Sequence, residues 1–190
     1  MLIFGAGEFA KVIQYYTGLS MVVHRQYAKG PVEIFEELSP TQLLICIGDN
    51  RSRHAVLQEA QDKGHRIMSW SHPSIWQERI VKRANTFIFE GNNLQPFSDI
   101  GYNTVLWSGN HIGHHSRIGN HCFITSHVCI GGGAEIGDYC FIGMNATVFD
   151  HVKIGNNCII AAGAVVDRDI PDGHTLSRKG VLVKHEMAQA

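Results

Sequence analysis

No apolar run in this chain approaches the roughly 20 residues that a membrane-spanning helix needs. Met1–Phe4 reads as a strand at once, with no basic leader and no cleavage site, so no export signal is expected and the protein is expected to be cytoplasmic. Charge of one sign is missing as well. Sixteen Lys and Arg stand against 17 Asp and Glu, which leaves a net charge of −1 and no electrostatic footprint for nucleic acid or an anionic membrane. Cysteines number only five, none of them in a CxxC pair, so neither a disulfide framework nor a zinc site is expected. Three of them, Cys122, Cys140 and Cys158, are spaced 18 apart, which suits buried thiols packed as small hydrophobes.

What the chain has in abundance is a period. From Ile88 to Val166 every sixth residue is a branched aliphatic: Ile88, Leu94, Ile100, Leu106, Ile112 and so on without a slip. Four places after most of these aliphatics comes a small or compact residue, such as Ser116, Cys122, Val128 or Ala134. A short fixed period sustained this long signals a solenoid, here a parallel β-helix. The small residue and the next aliphatic are two apart, so both face inward along an extended segment. The residue between them faces out and the other three make a corner. Three hexads close one triangular coil of 18 residues, stacked at the inter-strand spacing of about 4.8 Å.

Residues 1–70 lack the hexad and alternate strand and helix, as a small Rossmann-like parallel α/β unit does. Strands are expected at Met1–Phe4, Ser20–His24, Leu43–Ile47 and Arg66–Trp70. Helices are expected from Glu8 to about Gly18, over Ile34–Leu38 and over Arg51–Lys63. Gly5-Ala6-Gly7 leads into the first helix, where glycines let a backbone approach a phosphate. The acid that would hold the ribose of a nicotinamide cofactor is replaced by His24-Arg25, so such a cofactor is not expected. A tight turn without ligand and a site for another phosphate-bearing molecule, such as a nucleotide-sugar, both remain open. Residues 71–87 form an imperfect first coil, with Lys82 where an aliphatic belongs, and the β-helix domain spans 71–170. Residues 171–190 form a C-terminal cap, with a strand expected at Val181–Lys184.

Two outward columns describe the coil's surroundings. Phe87, Val105, Phe123, Phe141 and Ile159 make an apolar stripe, a surface for a partner that identical chains most simply bury around a threefold axis. Asp99, Arg117, Glu135 and Lys153 alternate in charge, as a solvent-facing ladder should.

Five histidines crowd His111–His127. His115, His121 and His127 occupy equivalent positions on successive hexads, so they diverge to three corners and cannot share a metal within one chain. Gly113-His114-His115-Ser116 is different, because one coil on from it lie Gly131-Gly132-Gly133. Those glycines strip side chains from beside His114 and should leave bare amides. A base beside unshielded N–H groups is what acyl transfer needs. The alternative is a pair of surface imidazoles bonded to neighbouring carbonyls.

Hexads behind a GAGxxA unit and a Gly48-Asp49-Asn50-Arg51-Ser52-Arg53 turn resemble the trimeric left-handed β-helix sugar acyltransferases of bacteria. This family includes sialic acid O-acetyltransferases and nucleotide-amino-sugar N-acetyltransferases, and Leu106–Gly119 resembles its active-site coil. The resemblance implies a left-handed coil, a homotrimer and acetyl-CoA as acyl donor, with no metal. It implies a sugar or nucleotide-sugar acceptor, acylated on a hydroxyl or an amine, in surface polysaccharide synthesis. It makes His114 the general base, with His115 as second choice, and maps the thioester-facing amide onto Gly132. Coenzyme A would lie between two prisms, against Ser126, Met144 and Ala162 of the neighbouring chain. The nucleotide-sugar would lie around Gly5, Gly7, Gly48, Asp49 and Asn50. The family's base is followed by an acid, and here His115 stands in that place. A neighbouring carboxylate or a differently tuned base would fill its role, and a nucleotide-sugar-binding scaffold without catalysis is the rival reading.

Overall fold

The computed structural model describes residues 1–24, 33–75 and 83–185. It divides into two compact units, Met1–Ser69 and Trp70–Ala190. Arg25 and Lys82 lie outside the described residues.

The first unit runs β1 (Leu2–Phe4), α1 (Glu8–Thr17), β2 (Met21–Val23), β3 (Glu33–Ile34), β4 (Gln42–Ile45), α2 (Asn50–Asp62) and β5 (Arg66–Ile67). Its sheet is parallel throughout, in the order β3-β2-β1-β4-β5. Strands buried on both faces read as unbroken apolar runs, and Ile3, Val22, Leu43 and Leu44 are fully buried. Helix α1 stops at Gly18, whose left-handed φ of 68° lets its amide reach the carbonyl of Gln14.

Two expectations fail here. Ile34–Leu38 is not a helix: Ile34 pairs with Val23 as strand, and only Phe35–Glu37 makes a 3₁₀ turn. Buried Phe35 sits edge-on to Phe4 at 4.9 Å, and that packing overrides the local helical preference. Arg66–Trp70 is not one strand either. Arg66–Ile67 pairs with β4, whereas β6 (Trp70–Ser71) pairs with β7 (Phe87–Ile88) in the second unit.

The second unit is the coil. Two-residue strands recur every six residues from β7 to β20 (Val165–Val166) and stack into three parallel sheets. Each register step is 18 residues, as in Val105↔Phe123, His111↔Cys129 and Arg117↔Glu135. The inward positions are filled as the hexad requires: Ile112, Ile124, Ile130, Ala134 and Ala146 are fully buried. So are Cys122, Cys140 and Cys158. Their thiols donate to the carbonyls of Gly137, Gly155 and Pro171 at 3.1, 3.0 and 3.2 Å.

Every corner contains one residue in the left-handed region, three places after the aliphatic. Asn103, Asn145 and Asn157 hold it, and so do His115, His121, His127 and His151, at φ of 54–62°. Asn, Gly and His tolerate that conformation better than most side chains. Several of the histidines are therefore corner residues first. At the far end β21 (His174–Leu176) and β22 (Leu182–Lys184) form an antiparallel hairpin whose first strand joins the coil.

The apolar stripe is shorter than expected. Phe87 and Val105 are fully buried within the chain and Phe123 nearly so, which leaves Phe141 and Ile159 exposed. The charged column is as drawn. Asp99 accepts both bonds of a bidentate contact from Arg83 at 2.8 Å, and Lys153 lies 3.4 Å from Glu135.

Candidate active site

The turn from β11 (His111–Ile112) to β12 (Arg117–Ile118) carries His114 and His115, both exposed. Gly113 is required at its start, since a Cβ there would come within 2.6 Å of the backbone of Gly131 and Gly132. The His114 amide donates to Oε1 of Gln95 at 3.1 Å, one coil earlier. The His115 amide donates to the carbonyl of Pro96, and its ring lies tilted on Phe97 at 4.7 Å. Between the two imidazoles, Nδ1 meets Nδ1 at 3.1 Å with the rings nearly perpendicular. One nitrogen must carry the hydrogen and the other the lone pair. The reading of both imidazoles as merely bonded to carbonyls therefore does not hold.

Gly132 supports His114 in a way the sequence foreshadowed. A Cβ at 132 would sit 2.7 Å from Cε1 and 2.8 Å from Nε2 of His114, so the ring rests on a floor only glycine provides. The expectation of bare amides is wrong. Gly131 donates to the carbonyl of Val148, Gly133 to that of His114, and Gly132 to Oδ1 of Asp150 at 2.7 Å. Gly132 is thus no free oxyanion donor in this structure. The cause is a device the coil repeats on another corner. There Asn120, Asp138 and Asn156 each accept the amide of the residue 18 places earlier, at 3.1, 2.7 and 2.8 Å. Asp150 and Gln95 were missed in the sequence, although Asp150 follows from adding 18 to Gly132.

The remaining candidates lie elsewhere. Ser126, Met144 and Ala162 form a column on the corner that joins β13 (Phe123–Ile124) to β14 (Cys129–Ile130) and its successors. Met144 is 55% exposed. Within one chain this is a different corner from that of His114. His121 is buried, bonded to Asn103 at 2.8 Å and the Tyr102 hydroxyl at 3.1 Å, and stacked on Tyr139. The ring of His127 packs against Gly109. Among the described residues, no group of three His, Cys, Asp or Glu could hold a metal ion.

In the first unit, strand order reverses between β1 and β4, and open α/β sheets bind ligands at such a switch point. Gly5-Ala6-Gly7 follows β1, and Gly48-Asp49-Asn50 follows β4. Gly5 is forced by packing, with φ of 136° and a would-be Cβ 2.7 Å from the Cys46 carbonyl. Gly7 and Gly48 have nothing within 4 Å of theirs. Asp49 caps α2 through the Ser52 amide at 2.8 Å. Asn50 accepts from buried Arg53 at 2.8 Å, and Arg53 also donates to the carbonyls of Ile47 and Gly48. Asp49 and Arg53 thus hold the turn in place. At the end of β2, His24 lies 2.9 Å from Glu36 and 3.4 Å from Glu59.

Residues 133–168 match the family model of the bacterial transferase hexapeptide (six repeats), and 115–148 match the hexapeptide repeat of succinyl-transferase. Both matches fall within the coil, between residues 115 and 168. Among curated proteins no sequence matches the chain. Of solved structures, PerB from Caulobacter crescentus in complex with CoA and GDP-perosamine is 27% identical, with a TM-score of 0.83, over 93% of this chain and 92% of that one. A mutant of the perosamine N-acetyltransferase from the same organism, with the same two ligands, is 26% identical with a TM-score of 0.82 and the same coverage. The acetyltransferase domain of PglB from Neisseria gonorrhoeae, with acetyl coenzyme A, is 22% identical with a TM-score of 0.60 over 93% and 94%. That last likeness concerns the fold alone. The hexapeptide coil and the parallel sheets fit the left-handed β-helix of this class.

Proposed function

We propose that this protein transfers an acetyl group from acetyl-CoA to an amino group of a nucleotide-linked sugar, in bacterial surface polysaccharide synthesis. The observation that carries the reading is His114: an exposed imidazole whose Nε2 lies over the bare surface of Gly132 and has no hydrogen bond among the described residues. Likeness over most of the chain to an enzyme solved with CoA and GDP-perosamine supports the choice of donor and acceptor. The open surfaces of Gly7 and Gly48 at the switch point of the first sheet support a phosphate-bearing acceptor there.

In this reading Nε2 of His114 takes a proton from the acceptor amine as its nitrogen attacks the thioester carbonyl. A C–N bond forms and the C–S bond breaks. The proton passes from His114 to the departing thiolate, so the base is restored and free CoA leaves. The buried thiols of the coil take no part. Gly132 serves as the floor beneath the imidazole. The chain works as a homotrimer in which Met144 and Ala162 of a neighbouring subunit flank the pantetheine arm, since one chain keeps that column on another corner.

The test is release of free thiol from acetyl-CoA in the presence of GDP-, UDP- and dTDP-linked amino sugars. Thiol release that depends on one of these sugars is expected. Absence of release with every one of them, by a protein that binds them, would overturn the reading in favour of a scaffold.

A further inference from the structure

We infer that His115 is the positioning residue for His114, acting as a neutral imidazole in the place where an acid would otherwise stand. The inference rests on His114 as base and specifies its partner. The two Nδ1 atoms are 3.1 Å apart, and a base working through Nε2 must carry its hydrogen on Nδ1. His114 therefore donates from Nδ1, His115 accepts on Nδ1, and the hydrogen of His115 resides on its Nε2. This arrangement fixes the tautomer in which Nε2 of His114 has a free lone pair.

His115 is held for the task from two sides. Its backbone is locked at the corner with φ of 59°, and its ring is braced by Phe97. His114 is held by Gln95 at its amide and by the glycine floor at its ring. A neutral acceptor orients the base as a carboxylate does, but it adds no negative charge to hold the incoming proton. Among the described residues, the other titratable groups stacked on this corner are Asp150, bonded to the Gly132 amide, and His151, whose ring packs on Gly133. The preceding coil presents only Gln95, Pro96 and Phe97.

Three variants test this. His115→Phe keeps an aromatic ring at the corner and removes the acceptor. Phe97 already occupies the same left-handed position at φ of 67°, so the turn accepts it. His115→Asn uses a residue that holds the same left-handed corner position at Asn103, Asn145 and Asn157, and its side chain is shorter than that of histidine. Both should lower kcat about tenfold or more and leave KM for acetyl-CoA within about twofold, with unchanged thermal unfolding. His115→Glu should retain activity and move the acidic limb of the kcat/KM profile to higher pH, because a carboxylate holds the proton on His114. Wild-type kcat in both His115→Phe and His115→Asn, with His114→Ala inactive, would overturn the role of His115 and leave the base standing. Full activity in His114→Ala would instead overturn the base itself.

Discussion

The carboxylate of Asp150 accepts the amide hydrogen of Gly132 at 2.7 Å, directly beneath the ring of His114. A donor engaged this closely by an anion has little left to offer a developing oxyanion. Asp150→Ala should therefore lower stability by about 1 kcal/mol, since Asp150 is exposed, without raising kcat. Asp150→Asn keeps the acceptor and should behave as wild type. Denaturant titration and initial rates measure both, and a rise in kcat on Asp150→Ala would return Gly132 to the role of oxyanion donor.

Gly132→Ala places a methyl group 2.7 Å from Cε1 of His114. The ring end of a side chain yields more cheaply than backbone, so the coil should keep its stability while the imidazole swings off its floor. We expect kcat to fall between about 10- and 100-fold with little change in thermal unfolding, because small misplacements of a reacting group are costly.

Arg53→Ala removes a buried guanidinium that ties Ile47, Gly48 and Asn50 together. Its loss should raise KM for the nucleotide-sugar severalfold and leave KM for acetyl-CoA unchanged. Stability should fall by about 2 kcal/mol, as three acceptors lose a charged donor. Steady-state kinetics in both substrates separates the two effects.

Stability should be greatest between about pH 6.5 and 9. Burial holds the pKa of His65 below its ordinary value, with Lys63 assisting, and its Nδ1 accepts the Thr41 amide at 3.1 Å. His54 is lowered by burial as well. Both stay neutral in the fold while the unfolded chain takes up protons below the ordinary value of 6.5, so stability falls as the pH drops through that range. At the other end, burial raises Cys46, while Cys140 and Cys158 are raised by their sulfur neighbours and by burial. Their thiols stay protonated in the fold, and stability falls once the unfolded chain ionises above about 9. Unfolding midpoints across pH 5 to 10 trace both limbs.

The coil was legible because its pattern is one-dimensional: adding 18 to any residue gives its neighbour in the stack. That arithmetic placed Cys122, Cys140 and Cys158 inside and set Gly132 against His114. It also contains Asp150, which stands 18 places after Gly132 as Asp138 does after Asn120, but the spacing alone does not say that the side chain turns to the amide. The buried half of the Phe87–Ile159 stripe was not legible, since burial of Phe87 and Val105 depends on tertiary covering, which the hexad does not encode. In the first unit, Ile34–Leu38 misled because five residues carry too little period to tell a strand edge from a helix turn. The contact between His114 and His115 depends on ring orientation at a left-handed corner, and no spacing rule reports it.

The central claim is that His114 is the base. The most direct measurement is kcat of His114→Ala with acetyl-CoA and the sugar that supports thiol release, alongside its assembly state and unfolding midpoint. The account predicts a loss of at least about 100-fold in kcat, with assembly and midpoint unchanged. A variant that turns over within a few-fold of wild type would contradict it.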